Sequence, residues 1–283
     1  MFVPYKGKNI GIFNPSTETL SMSFYGIGDG AYSGGVLLPD GNVLCVPYNA
    51  KDISILNPTT NEYKLIECMD VKDKMSYSGG VLLPNGNVLL VPFNSGSIGI
   101  FDTSDKTYFS GKINPRIENN AYSGGVLLPD DFVVFVPDSA KNIGIFNSFN
   151  NHFITISIEN PIEKAYSGGV LLPDGRVVFV PFNSKNIGIF KPSTHTFSTI
   201  HCDTGPHPAY SGGVLLPDGR VVFVPFNAKN ICIFNPFNDT FSLFPYGTGN
   251  ASFKGGVLLP DGRVVFVPFN SRTIGLFTPP SLT

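Results

Sequence analysis

One column of a repeated segment carries Lys8, Lys51, Gly96, Lys141, Lys185, Lys229 and Arg272, a basic side chain in six of seven copies. Cationic groups placed at regular intervals do one kind of chemistry: they attract anions, and their number multiplies weak contacts. A second column sets Tyr32, Tyr77, Tyr122, Tyr166 and Tyr210 just before Ser-Gly-Gly, with Phe253 in the last copy. An aromatic ring with a polar tip, close to loop asparagines such as Asn183 and Asn227, is the material of a carbohydrate subsite. The same rings can instead pack between sheets, and packing is the favoured reading because Phe replaces Tyr at Phe253. Catalysis needs different residues in acid, base and electrophile roles at one place. Here the reactive side chains either repeat or scatter. His152, His195, His201 and His207 fall in outer-strand and linker stretches, and Cys45, Cys68, Cys202 and Cys232 form no C-x-x-C pair and keep no metal-ligand spacing with histidine. The expectation is no catalytic residue, no metal and no cofactor.

The columns become visible by aligning "GGVLLP", whose copies start at Gly34, Gly79, Gly124, Gly168, Gly212 and Gly255. The period of 43 to 45 residues lies in the range of propeller blades. Within one copy the local signals predict four strands. "GGVLLP" is a short apolar strand, "PDG" a hairpin turn, "RVVFVP" a continuous apolar strand, and "NIGIF" a third strand after a polar loop. "NPSTHT" turns the chain again, and "TFSTI" alternates like an outer, half-exposed strand. Middle strands that are apolar on both faces need cover on both sides, which neighbouring blades supply. An open β-solenoid would want shorter coils and capped ends. The fold class expected is all-β: one β-propeller domain over residues 1–283, built of four-stranded antiparallel blades.

The blade count depends on which segment is counted. Gly-Gly strands number six, whereas the hairpins with "VP" and the "IGIF" strand number seven, because the chain opens in mid-repeat with "FVPYKGKNIGIF". With seven blades, the N-terminal blade lacks its innermost strand and the C-terminal blade its outermost. With six, the strand near Thr19 to Tyr25 closes the last blade, whose first three strands are residues 255 to 277. We favour seven, because Ile10, Ile12 and Phe13 repeat the buried pattern and need a blade to cover them.

Alternate connections of an antiparallel meander emerge at opposite ends. The "AYSGG" and "PFNSKN" loops therefore share one face, which carries the basic column. The "PDG" and "NPST" turns share the other, where Asp40, Asn85, Asp130, Asp174, Asp218 and Asp261 recur and Arg176, Arg220 and Arg263 partly neutralise them.

A net charge of -2 excludes global attraction to nucleic acid or an anionic membrane, so an electrostatic partner must meet a local patch. No apolar run approaches the roughly 20 residues of a membrane span, and "MFVPYKGKNIGIFNP" lacks the apolar core of a signal peptide. The expectation is a soluble, intracellular chain whose cysteines are reduced filler.

"GGVLLPDGRVVFVPFNSKNIGIFKPSTHTF" resembles the NHL and streptogramin-lyase type of propeller repeat, in which these strands and turns follow in the same order, and the resemblance covers nearly the whole chain. WD40 repeats share the strand order but not the residues: Gly-His and Trp-Asp signatures are missing, and the chain has no Trp. The streptogramin-lyase resemblance implies a metal-assisted elimination using histidine and an acidic residue in blade loops near the axis; the four histidines here lie elsewhere in the repeat.

The functional expectation is a non-enzymatic binding or structural propeller. Its face of repeated basic residues docks a protein with an acidic surface, and copies can stack on one another. The alternative is a lectin-like propeller with one subsite per blade for an anionic or neutral glycan. A lyase is a third reading. Nucleic acid is disfavoured because aromatic residues do not interleave with the exposed basic ones.

Overall fold

A computed structural model of the chain describes residues 1–5, 7–26, 30–68, 75–111, 117–203, 205–247 and 249–281. Each copy of the repeat folds as its local signals require. The first sheet is the pair β1 (Asn9–Asn14) and β2 (Thr19–Phe24). A four-stranded sheet follows: β3 (Tyr32–Leu37), β4 (Val43–Pro47), β5 (Asp52–Leu56) and β6 (Tyr63–Glu67). The next comprises β7 (Tyr77–Leu82), β8 (Val88–Pro92), β9 (Ile98–Asp102) and β10 (Thr107–Gly111). Then come β11 (Tyr122–Leu127), β12 (Phe132–Pro137), β13 (Asn142–Asn147) and β14 (His152–Ser157). The fifth sheet is β15 (Tyr166–Leu171), β16 (Val177–Pro181), β17 (Asn186–Lys191) and β18 (Thr196–His201). The sixth is β19 (Tyr210–Leu215), β20 (Val221–Pro225), β21 (Asn230–Asn235) and β22 (Thr240–Pro245). The last has three strands, β23 (Phe253–Leu258), β24 (Val264–Pro268) and β25 (Gly275–Phe277). Neighbouring strands are consecutive in sequence, so every sheet is a simple meander. The fold is an all-β propeller.

The six-blade alternative is the one supported, which corrects the preference for seven drawn from the N-terminal hairpin. Six sheets open on a Gly-Gly strand, β3, β7, β11, β15, β19 and β23, as the six-blade count has it, while the N-terminal hairpin stands as a two-stranded sheet of its own. In that hairpin β2 is registered on β1 from Asn9 opposite Phe24 to Asn14 opposite Thr19, which buries Ile10.

The chain divides into two compact units, Met1–Phe135 with Asn142–Ile156, and Val136–Lys141 with Ser157–Thr283. In the first, Leu44, Val46 and Ile53 pack with Val88, Leu90 and Phe101 of the following sheet. In the second, Val178, Val180 and Ile187 pack with Val221, Phe223 and Phe234, and Val222, Val224 and Ile231 with Val264 and Phe266. The second strands β8, β16 and β20 are buried along their whole length, which is why they read as unbroken apolar runs.

The second glycine of each Gly-Gly pair is what brings the sheets this close. A Cβ on Gly213 would lie 2.9 Å from a Val170 methyl and 3.0 Å from one of Val180, and on Gly80 it would lie 2.7 Å from Val36. All four cysteines are buried and free. Cys232 takes the glycine column of the third strand, and its thiol meets that of Cys202 from the preceding sheet.

The "PDG" turns close by side-chain acceptance: Asp174, Asp218 and Asp261 each accept the backbone N–H two residues on, at 3.0, 3.1 and 3.1 Å. The glycine that follows adopts positive φ, +85° at Gly175, +87° at Gly219 and +85° at Gly262. Asp131 stands at that position in one copy with φ +64°. Since a side chain in this region is strained, Asp131→Gly is expected to raise stability by about 0.5–1 kcal/mol, read as a higher urea midpoint. A lowered midpoint would show that the Asp131 side chain makes a compensating contact.

Candidate functional site

The loop joining the second and third strands positions the basic column. In successive copies the carbonyl of Lys51, Lys141, Lys185 and Lys229 accepts the N–H of Cys68, Ile158, Cys202 and Tyr246, at 2.8 to 3.1 Å. That bond ties the loop to the end of the fourth strand and leaves the side chain outside. Lys8, Lys51, Lys141, Lys185, Lys229 and Arg272 are all exposed, with Lys8 and Lys51 in the first unit and the other four in the second. Lys185 meets Asp203 at 3.0 Å, and Asp203 also meets the His207 ring at 3.3 Å. The Lys185 ammonium, followed by His207, holds the Asp203 carboxyl below the usual carboxylate range. His207 faces the Phe182 carbonyl with its other nitrogen at 3.2 Å.

The tyrosine column belongs to the core, which corrects its reading as a sugar-stacking surface. Tyr32, Tyr77, Tyr122, Tyr166 and Tyr210 are at most 5% exposed, so they form no exposed stacking surface. Each ring lies across its own sheet: Tyr122 packs on Phe135 at 5.3 Å and Tyr166 on Phe179 at 5.6 Å. The ring tip fills the space above the glycine of "IGIF". A Cβ on Gly99 would sit 2.8 Å from the Tyr77 hydroxyl, and one on Gly188 would sit 3.0 Å from Cζ of Tyr166. The hydroxyls of Tyr77 and Tyr108 pair at 2.6 Å, and that of Tyr122 donates to Asn142 at 2.5 Å. Burial pushes the phenols of Tyr32, Tyr77, Tyr122 and Tyr166 above their ordinary value.

The asparagines are ties between loops. Asn227 accepts the Ala251 N–H at 2.6 Å, as Asn49 does from Met75 at 3.0 Å and Asn94 from Asn120 at 2.7 Å. The Asn183 amide donates to the Glu163 carbonyl at 3.3 Å. Asn183 and Asn227 are both half-buried; the Asn183 amide is spent on the segment leading into its own sheet and that of Asn227 on the segment leading into the next.

One column escaped the sequence reading although the same alignment displays it. The residue after "VP" is Tyr5, Tyr48, Phe93, Asp138, Phe182, Phe226 and Phe269. In the first unit Tyr5 and Tyr48 are 5.7 Å apart and Tyr48 and Phe93 5.9 Å; in the second, Phe182 and Phe226 are 5.3 Å apart and Phe226 and Phe269 5.7 Å. These rings are half-buried, so each column of rings offers an apolar edge on the face that carries the lysines.

On the opposite face the arginines neutralise their own turns and also reach the neighbouring sheet. Arg176 meets Asp174 at 2.7 Å and Asp239 at 2.9 Å and donates to the Pro236 carbonyl. Arg220 meets Asp218 at 2.6 Å and donates to the Pro280 carbonyl, and Arg263 meets Asp261 at 2.7 Å.

A cavity of about 320 Å³ opens in the second unit, walled by Tyr166, Phe197, Ile158 and Ile162, with Ser184 and Asn186 as its polar edge. Lys185 is not among its walls. His152, His195 and His201 are exposed on outer strands and turns, and His207 lies in the segment between β18 and β19. Among the described residues, no three His, Cys, Asp or Glu side chains come together as a metal site would need, and no helix is long and apolar enough to cross a membrane.

No protein-family model matches the sequence, and no curated protein matches it. Solved structures do match in fold. A streptogramin B lyase superposes with a TM-score of 0.80 at 17% identity, covering 93% of this chain and 85% of that one. A catalytically inactive virginiamycin B lyase from Staphylococcus aureus with quinupristin gives 0.79 at 18% identity, covering 97% and 89%. A fungal alcohol oxidase in complex with copper gives 0.72 at 13% identity, covering 96% and 67%. At these identities the likeness is one of architecture, and in architecture this chain is a β-propeller similar to those of the streptogramin B lyases.

Proposed function

We propose that this propeller is a binding module and that the lysine-bearing loops of the second unit receive an acidic protein surface. One observation supports the reading above others: Lys141, Lys185, Lys229 and Arg272 occupy the same loop position in successive sheets, and every one is exposed. The backbone of the three lysine loops is held by the carbonyl bonds described above, so the loops themselves lose little freedom on binding. The edges of Phe182, Phe226 and Phe269 add apolar surface beside them. The glycan reading loses its aromatic platform with the burial of the tyrosines.

Calorimetric titration of the full chain with polyglutamate, a model acidic chain, tests this. Saturable binding is expected at low salt, weakening several-fold as ionic strength approaches physiological values, because exposed charges are screened over about 8–10 Å there. Binding indifferent to salt would overturn the electrostatic reading.

A second reading, a lyase-type enzyme, is favoured by the fold likeness to streptogramin B lyases and by the His207 and Asp203 pair on the lysine face. Its test is direct: incubation of the full chain with quinupristin and a divalent cation. Under the binding reading quinupristin remains intact; its consumption would place the enzymatic reading first.

A further inference from the structure

The segment that joins β14 to β15 takes positive φ at two residues with side chains, +52° at Asn160 and +51° at Lys164, an uncommon backbone for either. Between that segment and the fifth sheet lies the cavity of about 320 Å³, and all its described walls belong to the second unit. Ile158 and Ile162 of the segment and Phe197 of β18 supply its apolar surface. Tyr166 adds a ring that meets Phe197 edge-on at 6.2 Å. Ile162 is 45% exposed, so apolar surface beside the cavity stands in water where a ligand would cover it.

The polar edge is held in place by local bonds. Ser184, only 1% exposed, donates its hydroxyl to the Asn186 carbonyl at 2.9 Å and accepts the Asn186 N–H at 3.0 Å. The side-chain oxygen of Asn186 faces the His201 ring at 3.2 Å. In the preceding sheet the corresponding oxygen, that of Asn142, is taken by the Tyr122 hydroxyl instead. With its oxygen turned to His201, Asn186 keeps its NH2 as a donor at the edge of the cavity.

Size and charge narrow the ligand further. An apolar cavity of about 150 Å³ holds benzene, so roughly twice that volume suits two fused rings. Exposed Glu159 carries the only formal charge among the described walls. An anionic ligand would lose hydration, find no cation and meet a carboxylate. A cationic one gains a partner.

We propose that this cavity binds a hydroxylated fused-ring aromatic amine, with its rings between Ile162 and Phe197, its hydroxyl oxygen accepting from the Asn186 NH2, and its ammonium facing Glu159. Lys185 is not among the walls, so the site is independent of the polyanion reading of the lysine loops.

Serotonin, a member of that class, is the probe, titrated calorimetrically into the full chain. Saturable binding at about millimolar or lower concentration is expected. Tryptamine, which lacks the hydroxyl, should bind about threefold or more weaker, and hydroxyindoleacetate, with a carboxylate in place of the ammonium, about tenfold or more weaker. Ile162→Trp and Thr199→Trp fill the cavity from the segment and from β18. Both start from exposed residues, so the melting temperature should hold while each variant loses about tenfold or more in affinity. Glu159→Gln should weaken serotonin by about two- to fivefold and leave hydroxyindole, which has no ammonium, unchanged. Lys229→Glu, outside the cavity, should bind serotonin as the wild type does. The proposal is overturned if the wild-type protein shows no saturable binding, if both tryptophan variants keep wild-type affinity, or if hydroxyindoleacetate binds as tightly as serotonin. Should the tryptophan variants melt early, Glu159→Gln decides: an unchanged serotonin affinity there rejects the assignment.

Discussion

Gly212→Ala is expected to destabilise the protein by about 2–6 kcal/mol. Two costs combine. Gly212 has φ +88°, a conformation that strains any residue with a Cβ by about 1–3 kcal/mol. Its added Cβ would also lie 3.1 Å from the Cα of Gly255 in the next sheet. Backbone cannot rotate away as a flexible side chain can, so the sheets must part, and overpacking of this kind costs about 1–3 kcal/mol more. Gly111→Ala is the control: no atom lies within 4 Å of its added Cβ, and its stability should change by no more than about 0.5 kcal/mol. Urea denaturation of both variants reads the difference. A Gly212→Ala midpoint equal to wild type would mean that the inner strands are not in the contact described.

That contact shows how far the sequence carried. Strand order and the turn at "PDG" were legible because each is a local property: Asp174 closes its turn on Arg176 two residues away. The alternation expected of the outer strand holds in β10 but not in β18, where only Phe197 and Ile200 are half-buried. The Gly-Gly pair was legible as close approach, although its neighbours were not. Packing was the favoured reading of Tyr166, yet a sugar subsite stayed open, since nothing local says that its ring tip rests above Gly188, more than twenty positions later. The two columns, Tyr before Ser-Gly-Gly and Gly within "IGIF", are one packing unit read as two. Asn183 and Asn227 likewise looked available because their partners, the Glu163 carbonyl and the Ala251 N–H, come from segments 20 and 24 residues away. Arg176 and Arg220 were readable as partners of their own Asp residues, but the carbonyls of Pro236 and Pro280, each 60 residues on, became neighbours only through the stacking of sheets.

Lys141→Glu, Lys185→Glu and Lys229→Glu together are expected to abolish binding of an acidic partner while leaving the fold intact. The three side chains are exposed and their loops are held by backbone bonds that glutamate can make equally well, so the melting temperature should stay close to wild type. Locally, the substitution turns three positive charges into three negative ones. At Lys185 it also sets a carboxylate against Asp203, which repels the new residue toward solvent. Because the positions act together on one long ligand, the loss should exceed the sum expected from isolated surface pairs and reach about 10²-fold or more. The most direct measurement is a calorimetric titration of wild-type and triple-variant full chains with polyglutamate at one fixed low ionic strength. Tight, saturable binding by the wild type and none by the equally stable variant is the predicted result, whereas equal affinities would contradict the assignment of the lysine-bearing loops as the binding surface.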